Sequence, residues 1–122
     1  MIWNESKVII ADNTGWKWGK VIRVKKWSNA KYATVGDVVV IAVKKAIPGW
    51  QVEEGDVVWG VVIRTTREIR RKDGTRIKFG DNAVALINKE WEPRGKRIFW
   101  PVAREVREKG FRQLANLAEE VI

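Results

Sequence analysis

The sequence predicts a mainly β fold, a small barrel or sandwich that carries a protruding β-ribbon and ends in two short helices. Short apolar runs alternate with Gly, Asp and Asn turn signals through residues 7–88, a pattern typical of a small all-β domain. After Pro101 the apolar residues recur at helical spacing instead. With 122 residues, the chain has the length of one ordinary domain. We therefore expect a single domain over residues 1–122, with a helical tail at about 101–119.

Four apolar runs precede the ribbon and are predicted strands, at residues 7–11, 20–26, 38–43 and 57–65. In the second run Ile22 and Val24 alternate with charged neighbours, so we expect these two side chains on one face of the strand and Arg23 and Lys25 on the other. The third run is continuously apolar, which indicates burial on both faces. Gly60 lies inside the fourth run, and a glycine in a strand pattern predicts a bulge or a bend.

Turn signals separate these strands. Residues 12–15, Asp-Asn-Thr-Gly, end the first strand as a turn. The third and fourth strands begin with the same letters, Gly-Asp-Val-Val, at 36–39 and 55–58. We interpret this echo as shared turn chemistry in which the glycine takes a positive φ, rather than as an internal repeat.

The ribbon is predicted over residues 66–79, and residues 82–88 return to the core as the last strand. Asp73-Gly74 lies at the centre of the ribbon, and this dipeptide suits hairpin turns that match the twist of paired strands. Pro101 suits the first turn of a helix and Gly110 suits its end. The apolar positions that mark the two helices are Val102, Ala103 and Val106, then Phe111, Leu114, Ala115 and Ala118.

The charge of the chain is strongly positive. Lys and Arg number 24 and Asp and Glu 15, so the net charge is +9, and the isoelectric point lies near 10.1. A basic surface of this kind attracts a polyanion, and the clustering of the cations favours a nucleic acid over a merely soluble basic surface.

Composition also excludes several classes of site. The sequence has no Cys and no His, so disulfides, thiolate or imidazole metal sites and the common Ser-His and Cys-His nucleophiles are absent. The acidic pairs at 53–54 and 119–120 fall at a turn and at the C-terminal end, where carboxylates are usually solvated, and the aspartates at 12, 37, 56 and 81 fall at turns. We therefore expect no catalytic residues, no metal and no cofactor. No apolar run approaches the ~18–20 residues of a membrane span, and the first residues lack the apolar region of a signal peptide, so we expect a cytoplasmic protein.

The ribbon concentrates positive charge on one element that has little core of its own. Guanidinium groups contact phosphate oxygens in pairs and fix the register of a protein on a nucleic acid backbone. The alternative is a solvated hairpin whose charge resists edge-to-edge pairing. The RNA-binding residues predicted here are Arg64, Arg67, Arg70, Arg71, Arg76 and Lys78.

A second basic cluster is interleaved with aromatic residues around the predicted strand 20–26. Such a pattern suits backbone tracking combined with base stacking, although an outward strand face whose Trp side chains pack on a neighbour remains an equal alternative. Its predicted RNA-binding residues are Lys17, Lys20, Arg23 and Lys25, beside Trp16, Trp18 and Trp27. Further cations predicted to extend this surface are Lys44, Lys45, Arg94, Lys96 and Arg97.

Ordered motifs run through nearly the whole chain: Ala-Asp-Asn-Thr-Gly at 11–15, Tyr-Ala-Thr-Val-Gly-Asp at 32–37, Val-Val-Ile-Arg-Thr at 61–65, Arg-Arg-Lys-Asp-Gly at 70–74, Arg-Ile-Phe at 97–99 and Pro-Val-Ala-Arg-Glu at 101–105. With these motifs the chain resembles the L-fourteen family of large-subunit ribosomal proteins. The resemblance implies a five-stranded β-barrel with a ribbon and two small C-terminal helices. It also implies binding to large-subunit rRNA at the face that meets the small subunit, neighbouring ribosomal proteins, a ribosome-silencing factor as a partner, and no enzymatic activity or cofactor.

Eight Trp residues depart from this family pattern, which places small or polar residues at most of these positions and usually Gly at position 100. If residue 100 keeps the positive φ of a glycine, the Trp there stores strain of about 1–2 kcal/mol that some contact must offset. The departures indicate an engineered variant. One alternative function is therefore an engineered self-associating scaffold, a homo-oligomer in which Trp residues form interfaces, and another is a module for single-stranded nucleic acid. The predicted interface residues are Trp16, Trp18, Trp27, Trp50, Trp91 and Trp100.

Overall fold

The computed structural model describes residues 2–3, 6–13, 17–25, 32–49, 53–99 and 101–122. Four of the predicted interface residues, Trp16, Trp27, Trp50 and Trp100, lie outside these ranges. The strands in the described ranges are β1 (Ile2–Trp3), β2 (Lys7–Ile10), β3 (Trp18–Val24), β4 (Tyr32–Ala33), β5 (Val38–Lys45), β6 (Val57–Arg64), β7 (Ile69–Arg70), β8 (Arg76–Ile77) and β9 (Ala83–Ile87). The helices are α1 (Glu105–Glu108) and α2 (Arg112–Leu117).

Five strands close into a barrel in the order β2-β3-β5-β6-β9. The four successive pairs are antiparallel, and β2 closes the barrel by pairing in parallel with β9. The predicted mainly β fold with a five-stranded barrel is therefore confirmed, as are the two short C-terminal helices. The two-residue strands β1 and β4 pair with each other, and the sequence pattern missed them because two residues show no periodicity.

Within the described ranges, neither helix has the length and apolar character needed to cross a membrane.

The barrel interior is packed tightly around Ile41. A Cβ atom at Gly19 would lie 2.6 Å from Cγ2 of Ile41, and one at Gly60 would lie 2.9 Å from its Cδ1. The two glycines therefore make room for one large side chain. The bulge or bend predicted at Gly60 does not occur at that residue, because the register irregularity of β6 lies between Val62 and Arg64.

The alternation predicted for the second strand is wrong at Ile22, which is 47% exposed. The register between β3 and β5 shifts between Val21 and Arg23, so Ile22 is an extra residue at a bulge. The bulge changes the phase of the strand: Val21 and Val24 are buried, whereas Ile22 and Arg23 both face solvent.

The shared turn chemistry before β5 and β6 is confirmed. Gly36 and Gly55 have φ values of 86° and 88°, in the left-handed region that favours glycine. In the first turn Oδ2 of Asp37 accepts a hydrogen bond from the backbone N–H of Thr34 at 2.8 Å. In the second, Oδ2 of Asp56 accepts one from the N–H three residues upstream at 3.0 Å.

The ribbon is a hairpin of β7 and β8. The N–H of Gly74 donates to the carbonyl of Arg71 at 3.0 Å, and the N–H of Arg71 donates to the carbonyl of Thr75 at 3.0 Å. Gly74 has φ 89°. These features define a three-residue loop that ends in a left-handed glycine, one of the standard hairpin connections.

The C-terminal tail packs its helices against the barrel through Val106, Leu114 and Ala115, which are all buried. The last residues return alongside the start of the tail, because the N–H of Ile122 donates to the carbonyl of Val102 at 2.9 Å. Both helices lie inside the range 101–119 expected for the tail.

Candidate nucleic-acid interface

The outer face of β2 and β3 brings lysines together. Lys7 lies directly opposite Lys20 in the antiparallel ladder, and Trp18 lies opposite Lys45 on β5. The Nζ atom of Lys7 stands 4.5 Å from the ring centroid of Trp18. We call Lys7, Lys17, Lys20, Lys45 and Trp18 the strand face. Like charges directly opposite in a ladder destabilise it, so this face has a free-energy reason to attract an anion.

Lys7 is a residue that the sequence prediction missed. It follows the alternation of β2, in which Lys7 is exposed and Val8 and Ile10 are buried, and that alternation was a usable signal. Together with Ile9, Lys17 and Trp18 it lines an open groove of about 250 Å³.

The ribbon repeats the same arrangement. Arg70 on β7 lies directly opposite Arg76 on β8, and both are exposed. Arg76 also has Glu68 at 3.4 Å, but both members of that pair are about half exposed, and exposed ion pairs contribute little. Lys72 is exposed at the tip of the hairpin.

Arg64 does not belong to the exposed set. Its side chain is 3% exposed, and its Nε lies 2.8 Å from Oδ1 of Asp81. Its Nη1 donates to the carbonyls of Phe99 at 2.8 Å and Pro101 at 3.1 Å. The guanidinium is therefore committed to the fold, which corrects the prediction that it contacts RNA.

Arg71 is also turned inward, with its side chain 13% exposed. It donates to both carboxylate oxygens of Glu105, at 2.8 and 3.2 Å, and to the carbonyl of Ile122 at 2.6 Å. The hydrogen bond to Glu105 raises the pKa of Arg71 above its ordinary value. Arg71 thus holds the ribbon to the C-terminal tail, and three of its hydrogen bonds are made within the protein rather than to the predicted phosphate.

Asp73 stabilises the hairpin tip. Its Oδ1 accepts hydrogen bonds from the hydroxyl of Thr75 at 2.6 Å and from the backbone N–H of Thr75 at 3.0 Å. These hydrogen bonds lower the pKa of Asp73 below its usual range.

The remaining predicted cations face solvent with one exception. Arg94 is half-buried, whereas the exposed side chains are Lys17, Lys20, Arg23, Lys25, Lys44, Lys45, Arg67, Arg70, Arg76, Lys78, Lys96 and Arg97. Most of the predicted RNA-binding cations are therefore exposed to solvent, although Arg64 and Arg71 are not.

A comparison with known families gives the identity of this basic barrel. A family model described as ribosomal protein L14p/L23e matches residues 1–122, which is the whole chain. The chain belongs to this family. As a member it is a structural protein of the large ribosomal subunit, and the L14p/L23e family is not a family of enzymes. The resemblance inferred from the ordered motifs is confirmed.

In this L14p/L23e chain the segment at 94–97 is seated against the turn after β2. The N–H of Lys96 donates to Oδ1 of Asn13 at 2.9 Å, and a Cβ atom at Gly95 would lie 3.0 Å from Cβ of Asp12. The guanidinium of Arg97 lies 2.9 Å from Glu119, but both side chains are more than 60% exposed. Lys96 and Arg97 can therefore meet a ligand from solvent.

The described Trp side chains have different environments. Trp59 is half-buried against the core, with Nζ of Lys25 4.0 Å from its ring centroid. Trp91 is 51% exposed, and its ring stacks on Phe111 with centroids 5.8 Å apart. Trp91 also has φ 66°, a left-handed backbone that a bulky residue rarely adopts. Two of the predicted interface residues lie in the described ranges. Trp18 is half-buried in the strand face, and Trp91 is exposed.

Proposed function

We propose that this protein binds large-subunit rRNA through the phosphate backbone, using the strand face and the exposed side of the ribbon. The observation that best supports this proposal is that each surface has two like charges directly opposite each other on paired strands. These pairs are Lys7 with Lys20 and Arg70 with Arg76. Such pairs cost free energy in the isolated protein. A polyanion placed over them replaces repulsion by attraction and releases its counterions.

The side chains of this interface suit contacts that position the protein on the phosphate backbone of a nucleic acid. Its exposed groups are guanidinium and ammonium donors, which favour phosphate oxygens. Contacts of this type fix register and orientation on a duplex without reading its sequence. The barrel supplies rigidity to the strand face, since β2 and β3 are hydrogen-bonded on both sides within a closed sheet, whereas β7 and β8 of the ribbon form a two-stranded sheet of their own.

Family membership supports further partners. We place the protein on the cytoplasmic ribosome, at the side of the large subunit that meets the small subunit, next to neighbouring ribosomal proteins. A ribosome-silencing factor is proposed as an additional partner on the basis of the family. No cofactor is needed for any of these roles.

The experiment compares salt dependence of RNA binding. A triple variant with Arg67, Arg70 and Arg76 changed to Ala is titrated onto a large-subunit rRNA fragment at salt concentrations from about 50 to 200 mM, a range over which affinity that rests on phosphate contacts falls steeply. We expect the slope of log K against log salt to fall by roughly one unit per lost contact. The matched control changes three exposed cations outside the proposed interface, Lys89, Arg107 and Arg112, to Ala. Equal slopes for the two triple variants would reject the ribbon as an RNA contact.

Self-association is a second candidate, and the exposed stack of Trp91 on Phe111 favours it. Exposed aromatic residues are enriched among interface anchors. We expect the weight-average mass in sedimentation to rise with protein concentration, and the rise to disappear when Trp91 is changed to Ser. A constant monomer mass across the concentration range would reject this candidate, and with it an engineered self-associating scaffold.

A further inference from the structure

Arg71 joins the far part of the ribbon to the C-terminal tail. Its Nε and Nη2 atoms donate to the two carboxylate oxygens of Glu105, and Nη2 also donates to the carbonyl of Ile122. A guanidinium that pairs with a carboxylate through two hydrogen bonds fixes direction as well as distance. We call this arrangement the Arg71–Glu105 clamp.

The base of the ribbon is held separately. Ile69 and Phe79 pack against the core, and the N–H of Phe79 donates to the carbonyl of Thr65 at 3.0 Å. These contacts lie where the ribbon leaves the barrel. A two-stranded hairpin is marginally stable on its own, so an attachment near the tip has a large effect on where the tip points.

The other side of the clamp is well anchored. Glu105 is the first residue of α1, and Val106 beside it is fully buried. The carbonyl of Ile122 also accepts a hydrogen bond from the backbone N–H of Arg104 at 3.0 Å, so it is fixed from two directions. Arg71 therefore ties the ribbon to a part of the tail that is itself packed on the barrel.

The adjacent residue has the opposite environment. Arg70 is exposed and paired across the hairpin with Arg76, whereas Arg71 is almost covered. Arg71 directly follows β7, and its N–H still donates across the hairpin to the carbonyl of Thr75 at 3.0 Å. Because successive residues of an extended chain point to opposite faces, fixing Arg71 inward fixes Arg70 outward. The clamp thus determines which way the cationic pair faces.

We infer that Arg71 is a positioning residue for RNA binding: the Arg71–Glu105 clamp holds the ribbon in the orientation in which Arg70 and Arg76 meet the phosphate backbone together. This inference rests on the proposed function. Without the clamp the ribbon samples other orientations, and the apparent dissociation constant rises in proportion to the lost fraction of the binding orientation.

A change at Glu105 separates positioning from charge. Glu105→Gln removes a negative charge, so electrostatics alone would tighten the binding of RNA. The clamp predicts the opposite sign: if the binding orientation falls to about a tenth of the population, binding weakens about tenfold. The salt slope stays at the wild-type value, because no phosphate contact is lost. Glu108→Gln makes the same charge change at an exposed position of α1 and serves as the matched control; it is expected to leave binding unchanged or slightly tighter.

A second measurement without RNA reports on the clamp itself. The ¹⁵N heteronuclear NOE of the amides at 72–75 is expected to fall in Glu105→Gln and to stay unchanged in Glu108→Gln. Unchanged NOE values and unweakened binding in Glu105→Gln would overturn the positioning role, even if the ribbon triple variant has lost affinity. If instead the ribbon triple variant binds RNA normally while Glu105→Gln loosens the hairpin, the proposed RNA contact fails and the clamp alone stands as a structural contact.

Discussion

Arg64 and Asp81 close the base of the ribbon. They lie at the end of β6 and just before β9, on either side of residues 66–79, and are joined by two hydrogen bonds of 2.8 and 3.3 Å. The irregularity of β6 between Val62 and Arg64 lies at this point of the strand. The same guanidinium donates to the carbonyls of Phe99 and Pro101, so one side chain joins the barrel, the ribbon base and the beginning of the tail.

We predict a large loss of stability when Arg64 is changed to Ala. The change leaves Asp81 without its partner and two carbonyls without their donor. Breaking a buried ion pair costs about 3–5 kcal/mol, and we expect about 2–4 kcal/mol here because Asp81 is 30% exposed. The control is Arg97→Ala, whose exposed pair with Glu119 contributes at most about 1 kcal/mol. Urea denaturation with similar losses for both variants would contradict the structural role of Arg64.

The packing of Ile41 between two glycines predicts that Gly60→Ala is destabilising. The new methyl group would meet Cδ1 of Ile41, and overpacking of this kind costs about 1–3 kcal/mol. Ile41→Val removes Cδ1 and should recover part of the loss in the double variant. Gly80→Ala is the matched control, because nothing lies within 4 Å of a Cβ atom there. A Gly60→Ala protein as stable as Gly80→Ala, measured by thermal unfolding, would show that the interior is looser than described.

The backbone of Trp91 predicts that glycine is preferred over alanine at this position. Both Trp91→Gly and Trp91→Ala lose the stack on Phe111, so the difference between their free energies of unfolding isolates the cost of the backbone conformation. A left-handed conformation costs a non-glycine residue about 1–2 kcal/mol, and Trp91 has φ 66°. We expect the Gly variant to be more stable than the Ala variant by about that amount. Denaturation curves in which the Ala variant equals or exceeds the Gly variant would be inconsistent with the positive φ.

The lowered pKa of Asp73 predicts where the ribbon tip responds to acid. A carboxyl group with a depressed folded-state pKa contributes stability above its unfolded pKa and loses it as the pH falls through the folded value. The unperturbed value is 3.8. We expect the amide proton of Thr75, observed by NMR, to titrate with a midpoint below 3.8, and the titration to disappear in Asp73→Asn. A midpoint at or above 3.8 would contradict the two hydrogen bonds from Thr75.

Local patterns were sufficient for most of the fold. The apolar runs at 7–11 and 57–65 contain β2 and β6, and the run at 38–43 forms the first part of β5, which continues to Lys45. The Asp-Gly signal marks the ribbon hairpin. These features could be predicted because they depend on neighbours in the chain. The bulge at Ile22 could not be predicted in this way. It depends on how β3 is aligned with β5, which is a contact between distant segments.

The site was predicted less completely, because the sequence of a basic run does not show whether each charged side chain points to solvent or into the protein. Arg64 and Arg71 appear in the sequence as members of the ribbon cluster, yet their carboxylate partners lie 17 and 34 residues further along the chain. For Arg71 a usable signal existed. Period-2 alternation along an extended chain puts the neighbours Arg70 and Arg71 on opposite faces of the ribbon, so only one of them can face a ligand on a given side.

The most direct test of the account is the salt dependence of RNA binding when one member of each opposed pair loses its charge. The variant Lys20→Gln/Arg70→Gln is compared with Lys89→Gln/Arg112→Gln, which has the same net charge, on the same large-subunit rRNA fragment. We predict that the first variant has a slope of log K against log salt shallower by roughly two units, since two phosphate contacts are lost, and that the second keeps the wild-type slope. Parallel lines for the two variants would contradict the claim that the strand face and the ribbon bind the RNA backbone.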